Sequence, residues 1–72
     1  MNSDILKIFI DNLSELRKNR GCSSKLLSEL IGCDPSYISK VENGRIKPSI
    51  DKIIAIADYF EIDFIELFKK QI

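Results

Sequence analysis

Apolar residues recur three and four positions apart along the whole chain, and no stretch alternates apolar with polar over the length of a strand. That period belongs to amphipathic helices. Ile5, Phe9, Leu13 and Leu16 share one face of a first helix expected over residues 4–20, with Asn2 or Ser3 as its cap. Gly21 is its stop, because glycine enters the left-handed conformation without steric cost. Arg17, Lys18 and Arg20 in the last turn suit the negative end of the helix dipole. Ser23 is placed to cap a second helix that runs to Ile31 and stops at Gly32. Asp34 is expected to cap a third, with Pro35 at its first position, where a missing N–H does no harm; it runs through Asn43 to Gly44. Pro48 and Ser49 open a fourth, whose apolar face is Ile50, Ile53, Ile54, Ala57 and Phe60. Asp63 and Glu66 then match a capping box, and Ile62 and Leu67 a hydrophobic staple, ahead of a fifth helix carrying Phe64, Ile65 and Phe68.

Five short helices predict a compact all-α domain, and 72 residues read as one domain, 1–72. Its core is small, so helix packing or self-association is expected to supplement it. The chain is 44% hydrophobic and 31% charged, values that fit a folded soluble domain rather than disorder. No apolar run approaches the roughly 18–20 residues of a membrane span. The N-terminus, with Asp4 and a single early Lys7, lacks the form of a signal peptide, so the cytoplasm is the expected location. Cys22 and Cys33 are the only cysteines and histidine is absent, too few ligands for a zinc site. A reducing compartment disfavours a disulfide, and both cysteines are expected to be small buried apolar residues. No cofactor or metal is expected. Without histidine or a paired nucleophile and base, and with no room for a large pocket, an enzyme is not expected either.

Charge alters this picture through its distribution, since the formal net charge is zero. Residues 1–16 carry −2, residues 53–72 carry −2, and residues 17–52 carry +4. The positive segment contains the most informative stretch, Ser23 to Asn43, in which two short amphipathic segments meet at Gly32-Cys33-Asp34. This is the form of a helix-turn-helix, whose second helix enters the DNA major groove. In the third helix Ile38 and Val41 are the inward pair, while Ser36, Ser39, Lys40 and Asn43 face out. Serine can exchange hydrogen bonds with base edges, and lysine favours guanine O6 and N7 or a phosphate. Tyr37 could pack on a thymine methyl or donate to a phosphate; equally, it could be a half-buried ring at the junction of helices 2 and 3.

These residues resemble the Cro and phage-repressor-like helix-turn-helix regulators of the XRE family. The matching stretches are SELRKNRG at 14–21, GCSSKLLSELIGCDPSYISKVENG at 21–44 and KPSIDKIIAIADYFEIDFIELF at 47–68, within a resemblance that covers about residues 9–68. The resemblance implies a five-helix lambda-repressor-like fold, with the helix-turn-helix formed by helices 2 and 3. It implies base contacts from Pro35, Ser36, Tyr37 and Lys40, with Ser39 nearby. Phosphate contacts would come from Ser24 and Lys25 at the start of helix 2, and from Asn43, Arg45 and Lys47 after helix 3. Arg17 and Glu42 match a structural ion pair between the first and third helices. Four residues depart from the family pattern. Ser24 stands where glutamine is frequent, Pro35 thins the leading end of readout, and Leu26 and Leu30 replace residues that are usually charged. The two leucines are expected either to pack under a longer first helix or to contact a protein partner.

One such module makes few base contacts, and family members usually bind two half-sites as dimers. The C-terminal residues Tyr59, Phe60, Ile62, Phe64, Ile65, Phe68 and Ile72 are the candidate homodimer interface, with Ile5 and Ile8 as contributors, unless the domain's own core takes them. The expected function is a sequence-specific DNA-binding transcriptional regulator, acting as a homodimer on a pseudo-palindromic operator in double-stranded DNA. With no second domain in these residues, control is expected to rest on concentration or on a partner. The alternative is a protein-interaction module, such as an antitoxin, built on the same fold.

Overall fold

The structure is a computed structural model that describes residues 2–70, with no strand among them. Four α-helices follow one another: α1 (Asn2–Asn19), α2 (Ser24–Leu30), α3 (Tyr37–Glu42) and α4 (Ile50–Phe60); a short 3-10 helix (Phe64–Phe68) comes last. Phe9, Leu13, Leu27, Ile38, Val41, Ile56, Phe60 and Leu67 meet in one core to which every element contributes. Among the described residues no buried side-chain nitrogen or oxygen lacks a hydrogen-bond partner.

α1 starts earlier than its spacing suggested. It already contains Asn2 and Ser3, so neither is the flanking cap. Its buried face is rotated from the expected one. Phe9 and Leu13 are buried, and Leu6, Ile10 and Leu16 pack beside them, while Ile5 is 53% exposed. The C-terminal segment sets that rotation by lying against α1, with the Phe9 and Phe68 rings stacked 5.4 Å apart. Buried Asn12 donates both amide hydrogens to this segment, to the Leu67 carbonyl at 2.9 Å and the Lys69 carbonyl at 2.8 Å.

The fifth element is a 3-10 helix rather than the α-helix its capping-box pattern predicts. The Asp63 side chain makes no cap bond, and Glu66 pairs with Lys69 at 2.9 Å. With two of its carbonyls drawn to Asn12, the segment is shaped by α1 more than by its own first turn. α4 begins as expected, with Ser49 Oγ accepting from the Lys52 N–H at 3.3 Å. Its buried residues are Ile53, Ile56, Ala57 and Phe60; Ile50 and Ile54 lie on the flank and are exposed, and Ile56 takes the inward place the spacing had given them. Glu61 ends α4 in the left-handed conformation (φ 57°), the one stop among the four α-helices made without glycine.

Cys22 is buried and Cys33 only half-buried, so the expectation of two buried cysteines holds for the first alone; both are free thiols. No described helix is long and apolar enough to cross a membrane.

Candidate nucleic-acid interface

Ser23 opens α2 as its pattern requires, its hydroxyl accepting from the Leu26 N–H at 3.0 Å. α2 is only seven residues long, with Ile31 at its cap rather than in its last turn. Gly32 (φ 76°) then reverses the chain, and the Cys33 N–H closes back on the Ser28 carbonyl at 2.8 Å. This turn delivers α3 across α2.

α3 does not start at Asp34–Pro35. Those residues form a separate turn, closed by the Tyr37 N–H on the Asp34 carbonyl at 2.9 Å, and Ser36 occupies the cap position without a side-chain cap bond. The Asp34 carboxylate instead accepts from the Ser36 N–H at 3.0 Å and from the Ser36 hydroxyl. Both bonds favour the charged form and hold the Asp34 pKa below the usual carboxylate range, the hydroxyl first. Proline fixes the middle of this turn, so it does not extend the helix backward.

Two anchors fix α3. Ile38 and Val41 are fully buried. At the other end Glu42 receives a two-point bond from Arg17: Nε to Oε2 at 2.8 Å and Nη2 to Oε1 at 2.9 Å. A third Arg17 bond reaches the Cys22 carbonyl at 3.0 Å. The two side chains are 12% and 14% exposed, and the Glu42 hydrogen bond raises the Arg17 pKa against the opposing effect of burial. Arg17 therefore belongs to the scaffold. Arg20 does too, its guanidinium lying 5.4 Å from the Phe60 ring centre.

The candidate contact residues fall into three groups. At the start of α2, Ser24 is half-buried and Lys25 exposed. Along the α3 entrance and outer face, Pro35 and Lys40 are exposed, and Ser36, Tyr37 and Ser39 are half-buried. Desolvation raises the Tyr37 pKa, as expected for a ring lodged at the α2–α3 junction. In the following loop Asn43, Arg45 and Lys47 are exposed. The loop is pinned beneath α3 by the Arg45 N–H on the Lys40 carbonyl at 2.9 Å and by Ile46, which packs on the core. Ser39 donates its hydroxyl to the Ser36 carbonyl at 3.0 Å, and Ser36 donates to Asp34. Both serine protons are thus committed, leaving each hydroxyl oxygen with acceptor capacity only.

Leu26 and Leu30 do not pack under α1: they are 45% and 48% exposed. Their positions face away from Leu27, which takes the core contact. Within the helix-turn-helix, one residue gave little sign in the sequence. Ser28 is fully buried between α2 and α3, and its only signal was a polar side chain beside Leu27 on an inward face.

Two short helices joined at a glycine turn, the second turned outward and trailed by a basic loop, make a helix-turn-helix module. The chain belongs to the XRE-type helix-turn-helix family of DNA-binding transcriptional regulators; the family's model, described as helix-turn-helix, matches residues 13–67. Over 62 residues it is 31% identical to the HTH-type transcriptional regulator AnsR of Bacillus subtilis, covering 86% of this chain and 53% of that protein. The chain thus spans about half the length of that relative. Among solved structures it is similar to the restriction-modification controller protein C.AhdI from Aeromonas hydrophila, with 38% identity, a TM-score of 0.81, and coverage of 92% of this chain and 98% of that one. It is also similar to the hypothetical transcription factor NHTF from Neisseria, with a TM-score of 0.86, 24% identity, and coverage of 97% of this chain and 80% of that one. At that identity the second likeness shows the fold alone.

Proposed function

We propose that the chain binds double-stranded DNA with sequence preference through α3, as one half of a homodimer on a pseudo-palindromic operator, and so controls transcription in the cytoplasm. The observation that carries this reading is the division of α3 into a fully buried pair, Ile38 and Val41, and an outer side bearing Ser36, Ser39 and exposed Lys40. Lys40 reaches guanine or a phosphate; Ser36 and Ser39, with their protons committed, accept from cytosine N4 or adenine N6. Lys25, Asn43, Arg45 and Lys47 hold phosphates on either side, and Ser24 assists through its short side chain. Pro35 and Tyr37 supply apolar contact at the leading end. The likeness to C.AhdI along nearly the full length of both chains supports a restriction-modification controller ahead of a phage or chromosomal role.

The described residues extend 30 × 24 × 20 Å, short of the roughly 34 Å between half-sites on one face of DNA, so one copy reaches a single half-site. Tyr59 and Ile65, 46% and 60% exposed, support an interface in the C-terminal segment; Phe60 is claimed by the core, and Ile62, Phe64 and Phe68 pack against it. Ile5 is exposed and Ile8 half-buried on α1, while Ile72 lies outside the described residues. Selection of bound sites from a randomised duplex pool, followed by salt titration and sedimentation, tests the reading. A two-fold-related consensus is expected, and Lys47→Ala should lower the salt slope by about one. Failure to enrich any sequence would overturn it, and a monomer both free and on the selected duplex would remove the dimer. Exposed Leu26 and Leu30 favour a second reading, a protein partner on α2. Replacing both with glutamate should then abolish partner capture while stability holds.

A further inference from the structure

The α3 entrance has a gap in its own capping: Ser36 stands at the cap position, yet its hydroxyl is bonded to Asp34 and reaches no helical N–H. The acceptor comes from another helix. Ser28 Oγ on α2 accepts from the Ile38 N–H at 2.9 Å while donating to the Ser24 carbonyl at 2.7 Å, and both Ser28 and Ile38 are fully buried. The Ser28 carbonyl also accepts from the Cys33 N–H in the intervening turn. One residue therefore grips the first turn of α2, the glycine turn and the first turn of α3. We infer that Ser28 is a positioning residue for sequence readout: its hydroxyl sets the axial position and rotation of α3 against α2, and with them where Ser36, Ser39 and Lys40 meet base edges.

This inference rests on the DNA-binding reading above. It follows from the unequal tolerance of the two kinds of contact. A hydrogen bond to a base edge weakens steeply with small errors in distance and angle. Lysine and arginine reach phosphates on long flexible stems and absorb such errors. α3 has six residues and no side-chain cap bond of its own, so once the Ser28 link is cut no hydrogen bond from another helix's side chain, among the described residues, holds its first turn, and the Arg17–Glu42 pair fixes only its far end.

The test compares Ser28→Ala with Ile53→Val, a core trimming on α4 that costs stability but leaves the Ser28–Ile38 hydrogen bond in place. Each is titrated against the selected duplex and against a random duplex. Ser28→Ala should lose about tenfold on the selected duplex, the scale of one base contact, and stay within about twofold on the random one. Ile53→Val should lose neither. Equal loss on both duplexes, unchanged binding, or the same loss in Ile53→Val overturns the positioning role. Ser28→Cys, nearly isosteric but a weak acceptor, serves if the alanine variant does not fold, and the same outcomes apply to it. Hydrogen exchange in the free protein reads the link without DNA: the Ile38 amide should exchange on the order of tenfold faster in Ser28→Ala than in Ile53→Val, and equal rates overturn the inference. Absence of any duplex preference in the unaltered chain would instead strike the DNA reading itself.

Discussion

α2 and α4 differ from α3 in where their first N–H groups find acceptors. Ser23 and Ser49 each stand directly ahead of their helix and bond into its first turn. α3 has no such bond from its own cap. It is tied at one end by Ser28 from α2 and at the other by Arg17 from α1. Of α2, α3 and α4, the helix proposed to read DNA is thus the one without a side-chain cap bond from its own neighbours in sequence. A local cap favours its helix start by about 1 kcal/mol wherever that helix is placed, whereas a helix held through its neighbours takes its place relative to them, as a reading surface requires.

The largest break in that contrast should come from Glu42→Ala. It leaves the Arg17 guanidinium poorly solvated against α3 and should cost about 3–5 kcal/mol in urea unfolding. A loss below about 1 kcal/mol would mean that packing of Ile38 and Val41 alone holds the helix. Ser28→Ala comes next, at roughly 1–3 kcal/mol, because it strands a buried N–H. The self-capped starts should be cheaper to break. Ser23→Ala and Ser49→Ala are each expected to cost about 1 kcal/mol, measured by the shift in urea midpoint. Asp63→Ala should cost less than about 0.5 kcal/mol, since that carboxylate makes no cap bond.

The smallest effect concerns acid. Bonding from Ser36 lowers the Asp34 pKa in the folded state, so the ionised carboxylate favours folding above the ordinary aspartate value, and this is lost as pH falls through the lower folded value. The Ser36 amide resonance should follow that titration, and Asp34→Asn should abolish it. A midpoint at or above the ordinary value would show that the turn does not hold in solution.

The elements were largely legible, and so was the division of α3 into inward and outward sides, because both depend on spacing within a few residues. The glycine turn and the serine caps were read directly. The rotation of α1 was not. Whether Ile5 or Leu6 turns inward depends on Phe68 and the carbonyls of the C-terminal segment, more than fifty residues away in sequence. The fifth element was misread for the same reason. A capping-box pattern states a local preference, and Asn12 together with the Glu66–Lys69 pair outweighs it. Ser28 was passed over because a serine inside a short helix looks like any other polar residue until the neighbouring N–H it serves is known.

The amino-acid order by itself determined that this chain is helical, where its first three helices stop, and which side of the recognition segment is apolar. Those properties follow from bonds and periodicities within one or two turns. The tertiary structure alone decided how α1 is rotated, how the C-terminal segment winds, and what holds α3 in place. Each of these is set by a donor and an acceptor that the chain brings together only after it has folded.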